Sequence, residues 1–247
     1  MKALILAAGY ATRLYPLTKD RPKALLDIAG RPIINYIMEQ IETIDDVDTV
    51  YVVSNSKFFD AFDVWSKKYD GRLTPVIVND GTSDDSNKLG AVGDIGYTVD
   101  TCGIDDDLLV IAGDNIFTFE LKDYYHFFKE KNADTILVKR LKKIEDLRRM
   151  ANVVTDETGR VLEMVEKPET PKTDLAAFAS YIYCRKTLPL IKKYLDEGGN
   201  PDAPGFFPSW LHKIHPVYAY EFTGECYDIG THESYREVNE IFENLKK

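Results

Sequence analysis

The chain has 247 residues and a formal net charge of -10 at pH 7, with 31 Lys and Arg against 41 Asp and Glu. This acidic balance gives no electrostatic footprint for nucleic acid, and no apolar run approaches the ~20 residues of a membrane-spanning helix. The three cysteines lie far apart and match no metal-binding spacing, which indicates free thiols in a reducing compartment. The opening apolar segment is too short for a signal peptide. We therefore expect a cytoplasmic globular protein with neither nucleic-acid nor membrane partners.

The first strand and the loop after it carry the strongest local signal. An unbroken apolar run follows Lys2 and is typical of a strand buried on both faces in a parallel sheet. The run breaks at Gly9 into a turn of small residues, and five cations follow against two acids in the same stretch. The cations are Arg13, Lys19, Arg21, Lys23 and Arg31. A cationic cluster beside a glycine turn at a strand end predicts a site for a small anion.

The remaining elements of the first half alternate between strands and helices. The pattern predicts helices at 32–42, 58–68 and 89–99, strands at 49–53, 75–78 and 108–112, and a polar loop at 79–88. Such alternation favours a Rossmann-like, mainly parallel sheet flanked by helices. Because ligands bind beyond the carboxyl ends of parallel strands, Gly9, Asn79 and Asp114 are expected at one edge of the sheet.

The second half has a different character. Strands are predicted at 135–139, 179–184 and 217–222, a hairpin at 152–154 and 161–165, and helices at 144–150, 188–196, 208–214 and 232–247. We interpret it as a mixed extension of the same sheet that forms a second lobe. No linker separates the two halves, so residues 1–247 are expected to form a single domain.

The glycine turn fits neither of two common phosphate-binding motifs. It lacks the Gly-Lys-Ser/Thr ending of a P-loop, and Ala11 stands where a dinucleotide fingerprint would have a second glycine. A turn of small residues alone can be no more than a tight connection. The cations favour a ligand, because Arg13 can bind two phosphate oxygens at once and Lys23 can act as a point charge.

Six stretches together closely resemble the signature of the sugar-1-phosphate nucleotidyltransferases. They are Leu6–Thr18 with its Gly9-x-x-Thr12-Arg13 core, Pro22-Lys23-x-Leu25-Leu26, Gly30-x-Pro32, Gly113–Phe117, Glu166-Lys167-Pro168 and Tyr227–Thr231. The Gly113–Phe117 stretch resembles that of glucose-1-phosphate thymidylyltransferases. The resemblance runs from Met1 to about Asn239. It implies a mixed, mainly parallel sheet with a sugar-binding lobe that extends it. A nucleotide-binding half is implied at about 1–140 and a sugar-phosphate-binding half at about 141–231.

The resemblance implies Mg²⁺-dependent transfer of a nucleoside monophosphate from a nucleoside triphosphate to a phosphorylated small-molecule acceptor, with release of pyrophosphate. The favoured pairs are dTTP or UTP with glucose 1-phosphate. Alternatives are a cytidylyltransferase for choline phosphate and a guanylyltransferase for mannose 1-phosphate. A glycosyltransferase is less favoured because Ile116 replaces the second acid of Asp-x-Asp, and a non-catalytic nucleotide sensor because the charged residues are intact. Oligomeric state is left open, with a homo-oligomer as one option.

The resemblance also implies a role for individual residues. Arg13 would face the leaving phosphates, Lys23 would bridge the α-phosphate and the sugar phosphate, and Asp114 and Asp228 would hold Mg²⁺. Nucleotide binding is implied for Leu6, Ala8, Gly9, Arg13, Asn79, Gly90 and Asp114. Sugar-phosphate binding is implied for Lys23, Asn152, Glu166, Lys167 and Tyr181. The sequence departs from the family pattern at Ala11, at Ala151-Asn152, at Ser180 and in the base-reading loop 79–94.

Overall fold

The computed structural model describes residues 1–245, which form two compact units. The first unit contains Met1–Lys88, Ile111–Lys122 and the described residues from Gly224 onward, and the second contains Leu89–Val110 and Asp123–Thr223. The strands are β1 (Lys2–Leu6), β2 (Asp27–Ile28), β3 (Arg31–Pro32), β4 (Thr49–Ser54), β5 (Val76–Asn79), β6 (Leu108–Ala112), β7 (Asn115–Phe117), β8 (Asp134–Arg140), β9 (Ala151–Thr155), β10 (Val161–Glu166), β11 (Leu175–Tyr183), β12 (Val217–Glu221) and β13 (Cys226–Asp228). The helices are α1 (Ile33–Glu42), α2 (Phe59–Ser66), α3 (Ala91–Cys102), α4 (Leu121–Lys131), α5 (Ile144–Leu147), α6 (Leu188–Asp196), α7 (Phe206–Leu211) and α8 (His232–Leu245).

The first unit is built on parallel strands. β1 pairs with β4 and β4 pairs with β5, both in parallel, with Leu4 opposite Tyr51 and Val52 opposite Ile77. Leu4 is fully buried, as the unbroken apolar run predicts for a strand covered on both faces. Helix α1 buries the apolar side chains that recur at helical spacing, namely Ile33, Ile34, Ile37, Met38 and Ile41.

Two short antiparallel ribbons in the first unit were not predicted. β2 pairs with β3, and β7 pairs with β13 with Asn115 opposite Asp228. Strands of two or three residues are too short to show a period-2 pattern, so no local pattern predicted them. Helix α8 packs on the first ribbon, where Asn239 Oδ1 accepts the Ala29 amide hydrogen at 2.8 Å and the Tyr235 hydroxyl donates to the Asp27 carbonyl at 2.8 Å.

The second unit contains a mixed set of strands. β10 and β11 both pair antiparallel with β9, β11 pairs antiparallel with β8, and β12 pairs parallel with β8. β9 and β10 form the predicted hairpin. Helices α6 and α7 meet in an aromatic cluster, in which the Phe207 ring lies 5.3 Å from Tyr183 and 5.6 Å from Tyr194.

The predicted fold class, a mixed α/β fold with a mainly parallel sheet flanked by helices, is confirmed. Some predicted bounds differ. Helix α7 begins at Phe206 rather than Pro208, because proline is tolerated in the first turn of a helix. β11 begins at Leu175 rather than Ala179. The last two residues of the helix predicted at 232–247 lie outside the described residues.

The single domain with its ligand-binding halves stays a prediction. Among residues 1–245, no helix has the length and apolar character needed to cross a membrane.

Candidate active site

The glycine loop of the first unit, residues 7–18, follows β1 and contains a 3₁₀ turn at Thr12–Leu14. Buried polar side chains fix its backbone. Asn55 donates from Nδ2 to the Ala8 carbonyl at 2.7 Å, and Thr18 donates from Oγ1 to the Ala11 carbonyl at 2.8 Å. Ala11 adopts the left-handed conformation (φ 47°, ψ 42°). Gly9 and Arg13 are exposed, so the loop offers an open backbone and an exposed cation to a ligand.

Lys23 lies between two carboxylates from distant parts of the chain. Its Nζ is 2.6 Å from Asp114 Oδ2 and 3.8 Å from Asp228 Oδ1. The Lys23 side chain is only 14% exposed, whereas Asp114 is 33% and Asp228 67% exposed. The ammonium is therefore largely buried, and the carboxylates are open to solvent on the side away from it.

Two backbone features place these carboxylates. Gly113 donates its amide hydrogen to the Leu6 carbonyl at 2.8 Å, and a Cβ at Gly113 would lie 2.8 Å from that same oxygen. Only glycine permits this close approach, which carries Asp114 next to the glycine loop. The β7–β13 ribbon then sets Asp228 beside it, with Ile229 donating to the Asp114 carbonyl at 3.2 Å.

Charges in this cluster act on one another. Partial burial of the Asp228 carboxyl and the negative charge of Asp114 raise its pKa above the ordinary value, while Lys23 and Arg13 oppose the shift. Because 67% of the Asp228 side chain is exposed, water screens these interactions. Arg13 is therefore close enough to Asp228 for their charges to interact, and a common site for the predicted cation and the predicted metal ligand stays a prediction.

Asp114 and Asp228 suit a hard divalent cation. Magnesium takes one or two protein carboxylates and completes its octahedron with water and substrate phosphates. Among residues 1–245, no group of three or more His, Cys, Asp or Glu side chains could hold a metal ion by itself. A carboxylate pair of this kind binds a cation most strongly when a phosphate supplies further oxygens.

The predicted base-reading segment is divided between the two units. In the first unit, Asn79 Oδ1 accepts hydrogen bonds from Ser56 Oγ at 3.0 Å and the Gly81 amide at 2.9 Å. In the second unit, Gly90 (φ +80°) precedes α3, and a Cβ there would lie 2.4 Å from the Pro201 carbonyl oxygen. Packing against Pro201 accounts for this glycine, and nucleotide contacts by Asn79 and Gly90 stay predictions.

The second unit holds four of the five predicted sugar-phosphate residues, and the fifth, Lys23, lies in the first unit. Glu166 ends β10, and Lys167 follows it in a left-handed conformation (φ 47°) with its Nζ 3.9 Å from Glu166 Oε1. Strained backbone of this kind concentrates at functional positions. Burial raises the pKa of the Glu166 carboxyl, although the Lys167 charge opposes the shift. Burial and the charge of Glu166 raise the pKa of the Tyr181 phenol well above its usual value, so Tyr181 stays neutral.

Asn152 has a structural role in the second unit. Its Nδ2 donates to the Thr173 and Leu175 carbonyls at 3.0 and 2.9 Å, and its Oδ1 accepts the Lys172 amide hydrogen at 2.8 Å. These bonds use its hydrogen-bonding capacity to hold residues 172–175. Its predicted sugar-phosphate contact stays a prediction.

Sequence reasoning missed several residues that shape the glycine loop. Asn55 directly follows β4 at a sheet edge, and a polar residue there was the available signal. His232, to which the sequence assigned no chemistry, lies with Nε2 2.8 Å from the Tyr15 carbonyl oxygen. Nothing in the sequence indicated this contact, which spans 217 positions.

Comparisons with known proteins identify the family to which the chain is similar. A family model described as Nucleotidyl transferase matches residues 2–244. The chain is 35% identical over 195 residues to the bifunctional protein GlmU of Methanocaldococcus jannaschii, covering 78% of this chain and 42% of that protein. It is 30% identical over 183 residues to the UTP–glucose-1-phosphate uridylyltransferase AglF of Haloferax volcanii, covering 74% of this chain and 72% of that protein.

A solved structure shows the same fold. The crystal structure of UDP-glucose pyrophosphorylase complexed with UDP-glucose is similar with a TM-score of 0.84 at 21% identity, over 100% of this chain and 99% of that chain. The chain spans less than half the length of the Methanocaldococcus relative, at 42%. The family match nonetheless extends over nearly every residue, from 2 to 244, and the chain belongs to the Nucleotidyl transferase family.

Proposed function

We propose that this protein transfers a nucleoside monophosphate from a nucleoside triphosphate to a sugar 1-phosphate and releases pyrophosphate. The observation that carries the proposal is the cluster of Lys23, Asp114 and Asp228, in which the ammonium lies 2.6 and 3.8 Å from the two carboxylates beside the glycine loop. Arg13 is close enough to act on Asp228. This combination of cations and carboxylates suits a polyphosphate that arrives with a divalent cation.

The reaction needs no general base. The second pKa of a phosphate monoester is ~6, so a sugar phosphate is already a nucleophilic anion near pH 7. One of its oxygens forms a bond to the α-phosphorus, and the bond from that phosphorus to the bridging oxygen of pyrophosphate breaks. Charge moves from the acceptor to the leaving group, and no proton transfer is required.

The residues of the first unit would orient the triphosphate and stabilise its charge. Lys23 provides a buried point charge for the α-phosphate, and Arg13 can bind two oxygens of the leaving group. Asp114 and Asp228 would hold Mg²⁺, which supplies neutralisation of phosphate charge when it is bound. Exposed loop amides near Gly9 can donate to phosphate oxygens.

The residues of the second unit would hold the acceptor. Lys167, whose side chain is exposed and whose backbone is left-handed, is proposed to bind the sugar phosphate. Glu166 would accept hydrogen bonds from sugar hydroxyls. Glucose 1-phosphate with UTP or dTTP is the favoured pair, and the name of the Haloferax relative supports UTP with glucose 1-phosphate.

The test measures pyrophosphate release for each nucleoside triphosphate paired with each of several phosphorylated acceptors, with and without Mg²⁺. The acceptors include glucose 1-phosphate, mannose 1-phosphate and choline phosphate. We expect turnover with UTP or dTTP and glucose 1-phosphate, and loss of turnover on chelation. Turnover only with CTP and choline phosphate, or only with GTP and mannose 1-phosphate, would identify one of the alternatives. If none of the tested pairs released pyrophosphate, the proposed activity would be contradicted.

A further inference from the structure

Gly205 stands where a side chain would collide with Glu166. A Cβ at Gly205 would lie 2.0 Å from Glu166 Oε2 and 3.1 Å from its Cδ. The backbone of Gly205 is ordinary, with φ -72° and ψ -14°, so an L-residue could adopt it without strain. The glycine is therefore required by the space that the Glu166 carboxyl occupies and not by its own conformation.

The backbone around Gly205 is held firmly. Gly205 precedes α7, and its carbonyl accepts a hydrogen bond from Ser209 Oγ at 2.7 Å. Two residues further on, Phe207 is fully buried between the rings of Tyr183 and Tyr194. A side chain at Gly205 could not be relieved by a shift of α7 without disturbing this cluster. The end of the Glu166 side chain is the part that would move.

The Glu166 carboxyl is largely shielded from solvent. Its side chain is only 8% exposed, and Lys167 Nζ lies 3.9 Å from its Oε1. Loss of water around a carboxylate is costly, and hydroxyl donors from a ligand would offset that cost. The space left at Gly205 is what permits the group to remain buried.

We propose that Gly205 is a positioning residue, which holds the Glu166 carboxyl in place to accept hydrogen bonds from the acceptor's hydroxyls. The proposed role rests on the proposed function, since it concerns how the acceptor is bound. An acceptor with hydroxyl groups would donate hydrogen bonds to the Glu166 carboxyl. An acceptor without them would leave the carboxyl buried and without a donor, and sites of that kind discriminate strongly between two such ligands.

The first test is a double-mutant cycle on Gly205→Ala and Glu166→Ala. Because only the flexible end of Glu166 must yield, we expect Gly205→Ala to fold normally. The KM for the sugar 1-phosphate should rise about tenfold or more, because the displaced Glu166 carboxylate loses its hydrogen bond from the acceptor. The KM for the triphosphate should stay unchanged. In the Glu166→Ala background the same substitution should have no further effect. Additive effects in the two backgrounds would overturn the proposal.

The matched control is Gly96→Ala in α3 of the same unit. A Cβ there lies 3.0 Å from Leu195 Cδ1, so a flexible side-chain end must again yield, but that side chain is not Glu166. We expect both KM values to stay unchanged in this variant. An equal rise in acceptor KM for Gly96→Ala would show a general packing effect and overturn the specific role of Gly205.

A second test does not depend on activity. Carbon-13 NMR follows the titration of the Glu166 carboxyl, which faces Lys167 and Tyr181, in the wild-type protein and in Gly205→Ala. We expect the pKa of Glu166 to move toward its ordinary value in the variant, because displacement exposes the group to water. An unchanged titration would overturn the proposal. If no substrate pair supports turnover while this pKa moves, the proposed function fails and the positioning by Gly205 stands.

Discussion

The Lys23 ammonium lies 2.6 Å from a carboxylate oxygen of Asp114, although the two residues are 91 positions apart. The same nitrogen is 3.8 Å from Asp228, which comes from a third segment of the first unit. One cation therefore compensates two carboxylates that would otherwise repel each other. A divalent cation bound with a polyphosphate would compensate the two carboxylates by its own positive charge. Lys23 would then be released to contact a phosphate.

Replacement of Lys23 by Met should remove turnover without loss of the fold. The variant loses the cation proposed to contact the α-phosphate and removes the ammonium that lies between Asp114 and Asp228. We expect kcat to fall by about 10² or more, as for loss of a preorganised charge in other active sites. Steady-state kinetics measure the loss, and circular dichroism checks the fold.

The matched control for this variant is Lys67→Ala. Lys67 is 71% exposed and pairs with Asp63 on the surface of α2, so its removal should leave kcat unchanged. Near-wild-type kcat in Lys23→Met would contradict the assignment of Lys23 to the phosphate site.

Replacement of Asp114 by Ala should abolish turnover and weaken metal binding. Asp114 is 33% exposed and lies at a turn, so we expect the fold to remain intact. Binding of Mn²⁺ in the presence of the nucleoside triphosphate, followed by electron paramagnetic resonance, should weaken at least tenfold. Unchanged Mn²⁺ binding or an active variant would show that Asp114 is not a metal ligand.

Much of this site was predictable because its charged residues lie in recognisable motifs. Arg13 and Lys23 lie in the segment after the first predicted strand, and Asp114 follows the strand predicted at 108–112, so they were expected at one edge of the sheet. The contact that completes the cluster was not predictable from local pattern. Asp228 reaches Asp114 through the β7–β13 ribbon, whose strands of three residues carry no periodic signal.

The supporting contacts that the sequence did not predict have a common physical cause. Asn55 holds the Ala8 carbonyl across 47 positions, and Gly205 makes room for Glu166 on a different element. Both act through tertiary neighbours that sequence spacing does not reveal. Motifs thus identified the residues proposed to contact ligands, whereas the residues that position them could be recognised only from the fold.

Ala11→Gly should stabilise the protein slightly. Ala11 is left-handed, and that conformation costs a non-glycine residue roughly 1–2 kcal/mol. Glycine also makes the unfolded chain more flexible, which offsets about 0.4–1 kcal/mol of the gain. We expect the free energy of unfolding, measured in urea, to rise by up to about 1 kcal/mol.

Ala29 is a matched control because it is also left-handed, with φ 48°. Ala29→Gly should raise the free energy of unfolding by a similar amount. The KM for the triphosphate should stay constant in that variant, because Ala29 lies outside the glycine loop. Destabilisation of both variants would show that backbone strain at these positions is negligible.

Asp134 should make the protein less stable as pH rises through its titration. The carboxyl is 2% exposed and accepts hydrogen bonds from the Cys184 amide and the Thr187 hydroxyl, each at 2.8 Å. Burial raises its pKa from 3.8 in spite of these bonds. Between the unfolded value and the raised folded value the folded state binds more protons, so stability falls with rising pH there.

Asp134→Asn keeps an acceptor for Cys184 and removes the charge, so the wild-type decline over this interval should disappear. Asp134→Ala should instead cost about 1–3 kcal/mol, because a buried amide hydrogen loses its partner. Urea unfolding at a series of pH values measures both effects. At Asp156 the pH dependence of stability has the opposite sign. The Thr158 hydroxyl lowers the pKa of that carboxyl, so its contribution to stability grows as pH rises, and Asp156→Asn is the control. A parallel pH profile for wild type and Asp134→Asn would contradict the prediction.

Tyr10→Phe should weaken triphosphate binding by loosening the glycine loop. The Tyr10 hydroxyl lies 3.2 Å from Thr82 Oγ1, and Thr82 donates its own proton to Asp80 at 2.8 Å. Tyr10 must therefore be the donor in the first contact, and the chain of bonds ties the glycine loop to residues 80–82. Loss of one neutral hydrogen bond is worth about 0.5–1.5 kcal/mol, so we expect the KM for the triphosphate to rise about two- to tenfold.

The acceptor KM should not change in Tyr10→Phe, because both ends of the hydrogen-bond chain lie in the first unit. Tyr51→Phe removes a hydroxyl of β4 that is not part of this series of hydrogen bonds, and it should leave both KM values unchanged. Thr82→Val should reproduce the Tyr10→Phe effect on the triphosphate, and the double variant should add little, because both substitutions break the same connection. Additive losses would mean that Tyr10 acts through its ring packing and not through Thr82.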